Sequence, residues 1–195
     1  MLILILGLVL FLGAHSTRIF VPQFRDRVIA ERGENAWKGP YTVASLAGFA
    51  LIIWGFSMAR YEGPILYTPP VWMSHIALLV MLLSFISLAV FGMPAGKLKA
   101  VLKHPMIVSV KLWAFAHLLA NGDLASLLLF GSFLVWGIVD RISLARRDRA
   151  GQTQAVDTGP VRNDIMAALA GFVLYLAFVW KLHEWLIGVP PVVIA

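Results

Sequence analysis

The sequence predicts an all-α protein, a polytopic membrane bundle of about six transmembrane helices forming one domain over residues 1–195. Three observations predict it. The chain is 60% hydrophobic and only 13% charged, whereas a soluble domain is roughly half apolar and a quarter charged. Its apolar residues gather in runs close to the ~20 residues that a helix needs to cross a bilayer. Its basic residues fall almost entirely between alternate pairs of those runs.

The first run, 2–21, has no basic residue ahead of it, and Leu12-Gly13-Ala14 is a poor cleavage site, so it reads as a retained span rather than a signal peptide. The second, 41–59, follows Pro40, whose missing N–H suits the first turn of a helix. The third, 71–92, follows Pro69-Pro70. The fourth, 106–120, starts after Pro105, and only Asn121-Gly122-Asp123 separates it from the fifth, 124–139. Both are short, which predicts a tight helical hairpin whose tip must find hydrogen-bond partners in protein or water. Residues 146–160 are polar, rich in Arg, Gln, Thr and Gly, and are expected to form a mobile loop. The sixth run, 165–187, ends before Pro190-Pro191.

Charge sets the expected orientation. Arg25, Arg27, Arg32 and Lys38 follow span one; Lys97, Lys99 and Lys103 follow span three; Arg141, Arg146, Arg147, Arg149 and Arg162 follow span five. The opposite connections offer only Arg60. By the positive-inside rule the basic loops are expected in the cytoplasm and both termini on the other side. The net charge of +6 then points to anionic membrane lipids as partners, not to nucleic acid. Trp37, Trp54, Tyr61, Tyr67, Trp72 and Trp185 lie near span ends, as interfacial aromatics do.

The absence of cysteine excludes disulfides, thiolate metal sites and cysteine nucleophiles. There is no GxSxG, Walker A loop, GxGxxG after a strand or HExxH, and no carboxylate lies deeper than a span end, which argues against paired-carboxylate hydrolysis in the membrane.

The titratable residues inside the runs carry what chemistry the sequence offers, since a charge at mid-bilayer costs roughly 2.5–3.5 kcal/mol on insertion scales. His15 shares a helix face with Leu8, Phe11 and Arg18. His117 shares one with Met106, Ser109, Val110, Trp113, Ala120 and Asn121. Each has a structural alternative: a hydrogen bond to a carbonyl of a neighbouring span for His15, and satisfaction of the hairpin tip for His117. His104 reads as a helix-start residue in headgroup water. His75 and His183 read as interfacial, although both belong to the same outer half as His117. Arg18 either snorkels to the headgroups or pairs with an anion such as a haem propionate or lipid phosphate. Lys111 reads as snorkelling, and Lys181 with Glu184 as an interfacial pair.

Two stretches carry a family resemblance. Leu10-Phe11-Leu12-Gly13-Ala14-His15-Ser16-Thr17-Arg18, and Lys103-His104-Pro105 continuing to Leu112-Trp113-Ala114-Phe115-Ala116-His117-Leu118-Leu119-Ala120-Asn121-Gly122, resemble the two patterns of the NnrU family over roughly residues 1–187. The resemblance implies a bacterial inner-membrane protein associated with denitrification and nitric oxide metabolism. NnrU proteins are similar to the 15-cis-zeta-carotene isomerases, which bind haem b through two histidines; His15 and His117 match those positions. The isomerase's cysteine three residues before its second histidine corresponds to Ala114 here, so its ligand switching is not expected. A fainter resemblance to isoprenylcysteine-type membrane methyltransferases rests on His104-Pro105 and Arg141-Ile142, but their paired glutamates are replaced by Ser143–Arg147.

The resemblance thus implies haem b with His15 and His117 as axial ligands to iron, Arg18 on a propionate, and Ser16, Ser109 or Asn121 as supports for the ring nitrogens. Helical rise puts His15 ~9 Å and His117 ~18 Å from the inner surface. That offset leaves pairing of His117 with His75 or His183 open. Three functions stay in play: a haem protein of nitric oxide or nitrite metabolism with a redox partner, a haem-dependent cis–trans isomerase of a lipophilic polyene, and a cofactor-free assembly factor.

Overall fold

The computed structural model describes residues 1–153 and 158–192, and among these it is helical with no β-sheet. The helices are α1 (Leu2–Phe20), α2 (Pro22–Arg32), α3 (Glu34–Glu62), α4 (Val71–Gly92), α5 (Lys97–Leu102), α6 (Pro105–Ala120), α7 (Leu124–Arg149), α8 (Val161–Ala177) and α9 (His183–Ile187), with a π-helical turn at Phe178–Leu182 joining the last two. Five of these units, α1, α3, α4, α7 and the continuous Val161–Ile187 rod, are long and apolar enough to cross a membrane; α6 is a shorter apolar helix. The protein is therefore a polytopic helical membrane protein, and its exposed Leu, Ile, Val and Phe side chains form the surface that lipid covers.

The element bounds differ from the sequence expectation in three places. Helix α3 begins at Glu34, so Pro40 and Lys38 lie inside it and Pro40 does not open it. Fusing the polar and apolar segments into one rod of about 43 Å, at 1.5 Å per residue, carries it past the ~30 Å apolar layer. Helix α7 likewise runs on to Arg149, so residues 146–149 are helical rather than loop. Of the loop expected at 146–160, residues 154–157 lie outside the described residues. The basic connections after spans one and three hold the short helices α2 and α5.

The bundle has two blocks that share one helix. Helix α1 packs along α3, α6 along α4, and α8 along α4, while α7 packs against α1, α3 and α6; among the described residues no pair of helices joins the blocks except through α7. Glycines set the α1–α3 approach. A Cβ at Gly7 would lie 2.6 Å from the Ile52 nitrogen, and one at Gly48 would lie 2.7 Å from the Phe11 nitrogen, so only hydrogen fits where the backbones cross. Serines bind α4 to α6: Ser84 Oγ donates to the Ser109 carbonyl at 2.9 Å, and Ser87 Oγ to the Pro105 carbonyl at 2.7 Å. The core between the blocks is built from Leu4, Leu8, Ile52, Ala114, Leu129 and Phe130.

The α6–α7 tip is satisfied as membrane burial demands. Gly122 O accepts from Leu66 N at 2.8 Å and Tyr67 N at 3.2 Å, and Leu124 N donates to Pro64 O at 3.0 Å. Tyr67 Oη donates to the Leu118 and Asn121 carbonyls, and Asp123 caps α7 through Ser126 N at 2.8 Å.

Candidate functional site

The candidate site has two regions, both laid out along α7. The first is a cavity of about 500 Å³ at the end of the bundle that carries the basic connections. It lies between the blocks, with α7 contributing Trp136, Asp140, Leu144 and Arg147. These positions recur at intervals of four, four and three, so one helix face supplies them. From α1 come Ala14, His15 and Arg18; from α3, Trp37 and Tyr41; from the turn before α6, Lys103 and His104.

His15 and Arg18 thus reach one cavity, as their shared helix face predicts. The His15 ring stacks on Phe11 with centroids 4.2 Å apart and meets Tyr41 at 5.2 Å and Trp136 at 6.1 Å. Its Nδ1–H donates to the Phe11 carbonyl at 2.8 Å, one turn back in its own helix rather than in a neighbouring span. Among the described residues its Nε2 makes no hydrogen bond, and in the neutral ring that nitrogen carries the lone pair.

The turn holding Lys103 is strained. Lys103 has φ 58° and ψ −53°, and His104 N donates across it to Leu102 O at 2.6 Å. This is the γ-turn of positive φ, which is rare for a residue with a Cβ. Such conformations cost of order 1–3 kcal/mol and cluster at functional sites. His104 is held beyond it by Asp148, with Nε2 3.0 Å from the carboxylate; it is tied to protein rather than to headgroup water.

The second region surrounds His117. Its ring stacks on Phe130 at 4.4 Å and lies 5.4 Å from Trp113. Its Nδ1–H donates to the Trp113 carbonyl at 2.8 Å, so it repeats the His15 arrangement. Because Tyr67 and Asn121 satisfy the hairpin tip, His117 is not needed there; Asn121 Nδ2 donates to its main-chain oxygen at 2.8 Å. His183 stands beside it with ring centroids 6.3 Å apart and planes 24° from parallel. The His183 Nδ1–H donates to Val189 O at 2.6 Å. The π turn ahead of His183 sets its direction, and π insertions are frequent at functional positions. His75 is exposed.

His15 and His117 are placed at different heights. Their α7 neighbours, Trp136 and Phe130, are six residues apart, or ~9 Å along the helix. The rings of Phe11, Phe133 and Trp113 form a chain between them, with centroid steps of 5.7 and 5.5 Å. The donor chemistry fits haem iron, since each imidazole is held by an Nδ1–H bond to a carbonyl, and a neutral ring held in this way presents its Nε2 lone pair. Ser16, Ser109 and Asn121 do not fill that role: Ser109 is engaged by Ser84, and Asn121 serves the His117 backbone. Ala114 is fully buried in the core. Among the described residues no group of three or more His, Asp or Glu side chains is arranged to hold a metal ion. Lys181 and Glu184 form the expected surface pair at 2.7 Å, and the Lys111 stem lies over Gly137.

One family model, described as NnrU protein, matches residues 3–191, a stretch that includes both histidine patterns and the apolar helices. The chain belongs to the NnrU family. No curated protein matches it, and no solved structure does. For this NnrU protein the cavity residues Lys103, Trp136, Asp140 and Arg147 are additions to the sequence-derived site. The spacing of the last three was present in the sequence but fell across the assumed end of span five.

Proposed function

We propose that this NnrU protein is a haem-b-binding protein of the bacterial inner membrane, with its basic loops in the cytoplasm, serving nitric oxide or nitrite metabolism. The reading rests on one observation: two part-buried imidazoles, His15 and His117, each donate Nδ1–H to the carbonyl four residues back, which leaves two oriented Nε2 lone pairs in a low-dielectric interior. In a chain without cysteine these are the donors that suit haem iron. Arg18, lining the His15 cavity, suits a propionate. Haem would supply one-electron chemistry; the chain tunes it through ligand identity, burial and the carbonyls behind each ring. The proximity of His183 to His117 favours a second arrangement in which those two rings serve the iron.

The absorption spectrum of the purified protein tests this. A Soret band is expected in the wild type. Its loss in both His15→Ala and His117→Ala, with retention in His183→Ala, supports the first ligand pair. Loss in His117→Ala and His183→Ala alone selects the second pair. A wild-type preparation made under haem-replete expression with no Soret band overturns both. Unchanged nitrite and nitric oxide turnover in a deletion strain would remove the metabolic assignment.

A further inference from the structure

We propose that the cavity at the basic end of the bundle is a binding site for the phosphate headgroup of an anionic membrane lipid. Five cationic residues line it, Arg18, Arg25, Lys99, Lys103 and Arg147, against the single carboxylate of Asp140. They come from separate parts of the chain, so the fold, and not a run in sequence, concentrates them. Some are already engaged. Arg25 pairs with Asp26 at 2.9 Å, and Lys99 Nζ donates to Phe91 O and Met93 O at 3.0 Å each. Among the described residues, the side chains of Arg18 and Lys103 make no hydrogen bond or ion pair, and Arg147 meets Asp140 only loosely, at 3.9 Å.

Two further donors ask for an acceptor. Trp136 Nε1 and Arg147 Nε are buried with no hydrogen-bond partner, and both residues line this cavity. Leaving a buried donor unpaired costs roughly 1–3 kcal/mol, a penalty that a phosphate oxygen would remove. Lys103, in its strained turn, is one of the residues that line this cavity.

The surroundings select a lipid over a free ion. The volume of about 500 Å³ lies within the ~300–1,000 Å³ range of sites that take organic ligands. Ala14, Phe91, Ile107 and Leu144 give it apolar walls beside the cations. It sits where the apolar part of α7 gives way to Asp140–Arg149, the level at which headgroups meet acyl chains. Trp37, Tyr41 and Trp136 suit that level too, being aromatics with one polar atom.

The site is tested by native mass spectrometry of the detergent-solubilised full chain titrated with short-chain phosphatidic acid, short-chain phosphatidylcholine and inorganic phosphate. The expected result is retention of phosphatidic acid at least tenfold tighter than either of the others. Arg18→Gln with Lys103→Gln should weaken it about tenfold or more. Trp136→Phe should weaken it severalfold at constant charge. Arg32→Gln with Arg162→Gln, which removes the same charge outside the cavity, should leave it unchanged. Equal loss in that control pair overturns the proposal in favour of diffuse surface attraction. Equal retention of phosphatidylcholine removes the anionic selectivity, and phosphate binding as tightly as the lipid reassigns the cavity to a soluble anion. Should the double variant fail to fold by circular dichroism, Trp136→Phe decides alone, and undiminished binding there rejects the site. Arg18 is shared with the propionate contact proposed above, whereas Trp136→Phe leaves that contact in place, so lipid loss in Trp136→Phe with an unchanged Soret band keeps this result separate from the haem reading.

Discussion

The phenol of Tyr67 donates to the main-chain oxygen of Asn121 at 2.9 Å, bridging 54 positions of sequence, and reaches the Leu118 oxygen as well. It closes the carbonyl end of α6 that a short helix leaves open inside an apolar layer. Tyr67→Phe keeps the ring and removes the donor. The expected loss is about 1–3 kcal/mol, the penalty for orphaned polar groups. A lower melting temperature in detergent checks it, with the Soret band of any bound haem retained because the change leaves the His117 ring and its bond to the Trp113 carbonyl in place. An unchanged melting temperature would mean that water satisfies these carbonyls equally well.

Glycines of α1 and α3 divide into two kinds, and substitution should separate them. Gly7→Ala and Gly48→Ala push a methyl onto opposing backbone at 2.6 and 2.7 Å, and overpacking of this kind destabilises by about 1–3 kcal/mol. Gly13→Ala meets nothing within 4 Å and should stabilise by about 0.5–1 kcal/mol through helix propensity. Thermal unfolding of the three variants in one detergent gives the comparison. Equal behaviour of all three would show that α1 and α3 do not cross at Gly7 and Gly48.

The π turn at Phe178–Leu182 holds one residue more than an α-helical turn. Removing Val179 should restore α-helical winding and leave His183 facing His117, because the deletion takes away the residue that the π turn absorbs. The natural absence of cysteine makes this easy to read: cysteines placed at 117 and 183 should cross-link with a short bifunctional thiol reagent. The yield should be retained in the deletion background. A severalfold fall would mean that the π turn does not absorb the extra residue.

Much of this fold was legible in the sequence because the bilayer simplifies the problem. Long apolar runs become helices, and Asn121-Gly122-Asp123 leaves too few residues for anything but a tight reversal. Helix ends were harder. Pro40 is a strong start signal in water-soluble helices, yet α3 begins six residues earlier, where Gly33 at φ 83° gives the break between α2 and α3. Likewise Asp140 and Arg141 read as the end of a span although the helix itself continues. The same misplaced end hid the α7 wall of the cavity, because Asp140, Leu144 and Arg147 share a face with Trp136 only if α7 is uninterrupted. His15 and Arg18 were readable as one face from spacing alone. The neighbour relation of His117 and His183 was not, since it depends on a π turn that no residue pattern announces.

Helix α7 is the sole helical link between the two blocks, and it acts like the keel of a hull. Turning it about its own axis moves Trp136 and Arg147 at one end together with Phe130 at the other. The cavity wall and the floor beneath His117 are thus parts of one rigid piece. A displacement of α7 at its basic end would carry with it the ring that stacks on His117.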